Sequence, residues 1–186
     1  MTYNYSMKEV DEKKTARAAG VSIDISFKHA KMVCNFIRGM NAEEAVEVLE
    51  GIIEQRIAVP YTEYFRDLSH KTGVGPARFP VKTAKRILEV LKSAMANAQH
   101  KGLATSELFI RHIAAQTAAK PWHAGRHARR KMKRSHLELI LEQSDEEKAK
   151  KKSGKKDALK AGQKSEKAAK EKPAPKSEDK NSKGAN

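Results

Sequence analysis

Leu108-Phe109-Ile110-Arg111-His112-Ile113 and Leu137-Glu138-Leu139-Ile140-Leu141 are two apolar, alternating runs that enclose an unbroken basic segment. From Leu108 to Leu137 the chain carries eight Lys or Arg (Arg111, Lys120, Arg126, Arg129, Arg130, Lys131, Lys133, Arg134), four His and no Asp or Glu. Alternation of this kind predicts two strands of one sheet. The residues between them, 114–135, then form a long hairpin carried outward from the fold. If both halves were extended at about 3.3 Å per residue, the arm would project up to roughly 35 Å. Gly125 lies near its midpoint and can supply the positive φ that a reversal needs.

Bases with no acids to offset them repel one another and favour a polyanion beside them. The contrast with residues 1–107 is sharp, since these hold 16 basic and 13 acidic side chains. Four of the arm's bases between 126 and 134 are Arg, the residue suited to bidentate phosphate contact and to stacking on bases. Trp122 beside His123 offers a flat face for stacking. An arm without a core of its own should be mobile when free and gain order on phosphates. The composition implies nucleic acid; it favours RNA and leaves DNA open.

Outward from the arm, hydrophobic spacing predicts three helices. The first follows a strand at Val21-Ser22-Ile23-Asp24-Ile25, with Ser26 at its N-cap. It places Phe27, Ala30, Val33, Cys34 and Ile37 on one face and stops at Gly39. Asn41 to Glu44 reads as a capping box for a second helix over about 42–54, burying Ala45, Val46, Val48, Leu49, Ile52 and Ile53. Residues 56–80, broken by Pro60, Gly73, Gly75, Pro76 and Pro80, read as a long loop with a helical turn near Glu63 to Leu68. The third helix starts near Pro80 and Val81, buries Ala84, Ile87, Leu88, Leu91, Met95 and Ala98, and ends at Gly102. This order predicts an α+β fold: a small antiparallel sheet with three helices packed on it and a long basic β-hairpin extension.

Residues 1–20 are polar and lack periodicity, so an extended N-terminal segment is expected there, followed by the domain at 21–142. The tail, 143–186, holds 14 Lys and 8 acids. Leu159 is its only apolar side chain larger than Ala, so it should be disordered. Cys34 is the only cysteine, which excludes a disulfide framework and reads as a buried structural thiol. No apolar run approaches membrane-spanning length and no signal pattern opens the chain, so a soluble, cytoplasmic protein without a membrane partner is expected.

Chemistry-bearing constellations are absent from the pattern. His123 and His127, with His112 and His136 nearby, have no carboxylate or thiol to complete a tetrahedral metal set. Gly73-Val74-Gly75 lacks the Lys-Ser/Thr of a phosphate-binding loop. No nucleophile is paired with a base, so neither an enzyme nor a cofactor is expected.

The residues in order resemble a known family. Phe27-Lys28-His29-Ala30-Lys31, Ile37-Arg38-Gly39, Ala42-Glu43-Glu44-Ala45, Gly73-Val74-Gly75 and Arg78-Phe79-Pro80 are similar to the large-subunit ribosomal protein L twenty-two family (seventeen in eukaryotes). Ala94-Met95-Ala96-Asn97-Ala98, Ile110-Arg111-His112-Ile113, Gly125-Arg126 and Leu137-Glu138-Leu139-Ile140-Leu141 continue the match, which covers residues 16–142. Val59-Pro60 and Gly73-Val74-Gly75 resemble the archaeal and eukaryotic branch. The resemblance implies a structural constituent of the large ribosomal subunit that binds large-subunit rRNA and assists its assembly. Its hairpin would line the nascent-polypeptide exit tunnel.

On this likeness the tip is Pro121, Trp122, His123, Ala124, Gly125, Arg126 and His127. Lys28, Lys31, Arg38, Lys82, Lys85 and Arg86 would hold the body on rRNA, and Lys120, Arg126, Arg129, Arg130, Lys131, Lys133 and Arg134 the arm. Implied partners are rRNA, neighbouring ribosomal proteins and the nascent chain, with no homo-oligomer. The chain departs from the family in a shorter 73–79 loop, a shorter hairpin, and Ala118, Ala119, Pro121 and Trp122 where Arg is usual. The rival reading is a free-standing nucleic-acid chaperone or nucleoid protein, which usually needs a dimer; no dimerising stripe is visible.

Overall fold

A computed structural model describes residues 3–8 and 11–144 of the chain. The disordered tail expected at 143–186 lies, from residue 145 onward, outside the described residues. The α+β class is the observed one. Strands β1 (Thr15–Ile23), β5 (Leu108–Thr117) and β6 (Ser135–Gln143) form an antiparallel sheet in the order β1-β6-β5. Helices α1 (Phe27–Ile37), α2 (Ala42–Ile53) and α3 (Val81–His100) gather over one face of it. Helix α1 lies on β5 and α3 on β1 and β6, while α2 sits mainly on α3.

Successive side chains of a strand point to opposite faces. On β6, Leu137, Leu139 and Leu141 therefore enter the core beneath the helices, together with Ile110, Ile113, Val33, Ile37, Leu49, Ile87 and Leu91. The other face carries Glu138 and Ile140, both buried. Residues 3–8 cover Glu138: Tyr3 Oη donates to its carboxylate at 3.2 Å, Ser6 N at 2.9 Å and Ser6 Oγ at 2.8 Å. Gln116 Nε2 donates to the same group. Part of the presumed lead-in is thus seated on the sheet.

Three expectations need correction. The first strand is Thr15–Ile23 rather than Val21–Ile25, and begins inside the supposed lead-in. Its sequence, TARAAGVSI, is poor in the branched residues that advertise strands. The small side chains leave room for close neighbours: a Cβ on Gly20 would collide with Ile23 Cδ1 and stand 3.0 Å from Val90 Cγ2 of α3. Second, residues 56–80 are not a plain loop but hold a second small antiparallel sheet, β2 (Val59–Pro60), β4 (Gly75–Arg78) and β3 (His70–Lys71), in the order β2-β4-β3. A turn closed by Leu68 N donating to Phe65 O replaces the helical turn. Third, neither Ser26 nor Asn41 caps its helix with its side chain. Asn41 instead pairs through its backbone with Phe109, and Ile110 N donates to Met40 O at 2.9 Å. The α1–α2 turn is thereby stitched to β5.

Candidate nucleic-acid interface

The hairpin leaves the sheet as a continuation of β5 and β6. Regular pairing runs to Thr117 opposite Ser135, and a bulge at Arg111 shifts the register between Ile110 and His112. Arg111 lies within 3.4 Å of Glu142, so this base of the acid-free segment is paired across the ladder. Beyond the ladder, Ala118 N donates to Arg134 O at 3.1 Å, Met132 N to Pro121 O at 2.8 Å and His123 N to Arg130 O at 2.9 Å. The arm over 118–134 is therefore a hairpin, as its sequence predicts, closed by backbone bonds between its two halves. Gly125 adopts φ +66° and opens a 3-10 turn over Gly125–His127; a second turn follows, with Arg130 N donating to His127 O. Coiling at the tip makes the reach shorter than the fully extended estimate.

Three bonds fix the base of the arm to the end of β1. Arg134 Nη1 donates to Ser22 O at 3.0 Å, Ser22 N to His136 Nδ1 at 3.2 Å and Ser135 Oγ to Ile25 O at 3.1 Å. Ser22 itself holds φ +54°, which bends β1 at this point. Every residue from Ala119 to Lys131, and so the whole tip from Pro121 to His127, is solvent-exposed. Trp122, 58% exposed, pairs with Lys131, whose Nζ stands 4.6 Å from its ring centroid. A cation over an indole face orients both groups and leaves the other face open.

The thirteen cations expected to touch RNA fall into distinct settings. Lys31 pairs with Glu63, Lys82 lies 2.7 Å from Asp24, and Arg86 bridges Asp24 and Glu89. Arg38 donates to Ile113 O at 3.1 Å, and Lys28 stands over the Tyr64 and Phe65 rings. Lys85, Lys120, Arg126, Arg129, Arg130 and Lys133 form no ion pair with a described residue. Bare positive charge is thus concentrated on the arm, whereas most of the body's cations are already neutralised or engaged.

The fold also assembles a feature that the sequence did not expose. Tyr61 is buried and shares a hydrogen bond with His29 Nδ1, whose ring stacks on Phe65 at 5.6 Å and 18°. Arg78 stands 5.5 Å from the Phe65 centroid. Burial, then the charges of Arg78 and Lys133, hold the His29 imidazole below its ordinary pKa, so the neutral ring is favoured. Burial pushes the Tyr61 hydroxyl up to about 12. The signal was the aromatic spacing of Tyr61, Tyr64 and Phe65 ahead of Arg78-Phe79, within the stretch read as loop.

Comparisons with known proteins bear on the same residues. The model of a family described as ribosomal protein L22p/L17e matches residues 18–142. Over 116 residues the chain is 41% identical to the large ribosomal subunit protein uL22 of Archaeoglobus fulgidus, covering 61% of this chain and 75% of that protein. It is 46% identical to the protein of the same name from Picrophilus torridus, over 59% of this chain and 72% of the relative. The Methanopyrus kandleri counterpart is 37% identical over 76% of this chain and 94% of its own length.

Proposed function

Since the chain belongs to the ribosomal protein L22p/L17e family, we propose that it is a structural constituent of the large ribosomal subunit that binds rRNA chiefly through its arm. The observation that carries this reading is the arm itself: Lys120, Arg126, Arg129, Arg130 and Lys133 are cations with no ion pair to a described residue, carried on a narrow, backbone-closed hairpin. Such an arm can slide between RNA helices and meet phosphates on several sides. On the body, Lys85 of α3 also forms no ion pair with a described residue and adds to the positive charge offered to RNA. The tip, Pro121 to His127, faces the nascent chain in the exit tunnel, with Trp122 and His123 as its contacts. In this role the protein works by geometry. It neutralises phosphates that would otherwise keep RNA segments apart, which assists assembly, and no bond is made or broken. Its setting is the ribosome in the cytoplasm, beside neighbouring ribosomal proteins. Among the described residues no helix is long and apolar enough to cross a membrane.

Gradient sedimentation of a tagged copy in cell lysate, before and after a high-salt wash, tests the reading. Stoichiometric, salt-resistant migration with the large subunit is expected. Release at moderate salt into light fractions, or onto DNA, would leave a peripheral chaperone or nucleoid role in its place.

A further inference from the structure

At the foot of the arm a cleft of about 820 Å³ opens between residues 131–134, the start of α1 and the start of α3. Its lining divides by chemistry. The half-buried His29 and Phe79 supply flat, uncharged faces, with the buried Tyr61 ring behind His29, and Arg78, Lys133 and Arg134 supply positive charge. The single acid at the wall, Asp24, is already spent: Lys82 Nζ lies 2.7 Å from one oxygen and Arg86 Nε 3.2 Å from the other. Arg78 and Lys133 face the cleft with no acid partner among the described residues.

We propose that this cleft receives one unpaired nucleotide of the bound RNA, its base against the His29 and Phe79 side and its phosphate against Arg78, Lys133 and Arg134. The inference rests on the rRNA-binding reading and adds a specific pocket to it. A duplex keeps its bases stacked inside and offers phosphates outside, so cations on a flat surface would suffice for it. A roomy recess with an aromatic side and a cationic side fits a base that has left the stack. The neutral His29 ring suits this role. With Nδ1 engaged by Tyr61, Nε2 is left to donate to or accept from a base edge, according to tautomer. The cleft also couples the two RNA-contacting parts, since Lys133 and Arg134 belong to the arm and Arg78 to the body. A nucleotide held here would lock the arm's angle to the domain.

The test uses the full-length chain and a large-subunit rRNA fragment containing its binding region, with single abasic substitutions scanned through the unpaired nucleotides. Stacking and edge contacts to one base predict a loss of about tenfold in affinity at one position. R78Q/K133Q, two exposed side chains outside the core, should bind more weakly and lose that sensitivity. R129Q/R130Q should weaken binding yet keep it. Wild-type binding that is indifferent to every abasic site, or a sensitivity that survives in R78Q/K133Q, overturns the cleft while leaving rRNA binding intact. Failure of the wild type to bind the fragment at all overturns the underlying reading as well. Adenosine monophosphate binding as tightly as the RNA would identify a free nucleotide as the occupant and overturn the RNA source.

Discussion

His29 is the residue at which fold and site meet. It is only partly buried, yet burial together with Arg78 and Lys133 depresses its pKa from the ordinary 6.5. In the unfolded chain the imidazole takes up its proton at higher pH than in the fold. Stability is therefore fully present above about 6.5 and is lost as pH falls through the depressed folded value. The free protein should accordingly lose thermal stability on acidification below about 6.5, and H29Q should show a shallower loss. A melting series across that window in wild type and H29Q, with the ring followed by NMR, measures it; identical slopes would show that His29 is not the group responsible. RNA should oppose the trend by raising the His29 pKa, because phosphate favours the charged ring. Cys34 makes the opposite case, a titratable group with no work to do. It is buried on α1 and its thiol is pushed up to about 12 by desolvation. A disulfide reagent should leave it unmodified in the native protein and label it stoichiometrically in denaturant; rapid native labelling would mean that α1 opens.

Elements differ in how far their sequences announce them. The three helices and β5 were legible because each carries a strong period and its burial follows that period; β6 was legible from its apolar run, although Leu137 to Leu141 are buried on both faces. Strand β1 was not, because Ala and Gly leave room for close neighbours instead of advertising a strand. The β2–β3–β4 sheet hid among Pro and Gly for a related reason: strands of two to four residues carry too little pattern to detect. The arm's residues were read correctly as a basic hairpin, but its backbone closure depends on cross-arm pairs such as Pro121 with Met132, which composition cannot show. Arg78 and His29 belong to elements far apart in sequence, so only the fold brings them to one cleft. The seating of residues 3–8 has a direct consequence. Removing residues 1–8 takes three of the four donors that the described residues offer Glu138 and opens the second face of the sheet. Bonds to a carboxylate of this kind suggest a loss of about 2 kcal/mol or more, a fall in melting temperature of several degrees. Denaturant unfolding of the truncated chain measures it, and an unchanged midpoint would mean that Glu138 finds water or other donors at no cost. Replacing Arg129, Arg130 and Lys131 with Ala should leave the melting temperature of the free protein within about a degree, since none of them supports the core.

The molecule as a whole separates its charges. The exposed face of α2 carries Glu43, Glu44, Glu47 and Glu50, with Glu54 just past its end, and α2 lends no residue to the cleft or to the base of the arm. Of the thirteen cations expected to meet RNA, six form no ion pair, side-chain hydrogen bond or ring contact with a described residue: Lys85 on α3 and Lys120, Arg126, Arg129, Arg130 and Lys133 on the arm. A polyanion approaching such a body is attracted to the arm and repelled by α2, which orients the encounter before any contact forms. Phosphates neutralised by six cations release roughly six sets of condensed counterions. The logarithm of the binding constant should then fall with the logarithm of salt at a slope between about −4 and −5.5. Replacing Arg129 and Arg130 with Ala removes two such contacts and should make the slope shallower by about 1.5. K82A should change it far less, because Lys82 gives up the Asp24 pair to reach a phosphate and little net charge is gained. Filter or anisotropy titrations on one rRNA fragment from low to physiological salt separate these cases. A slope near −1 would exclude an electrostatic arm, and equal effects of R129A/R130A and K82A would place the interface on the body instead.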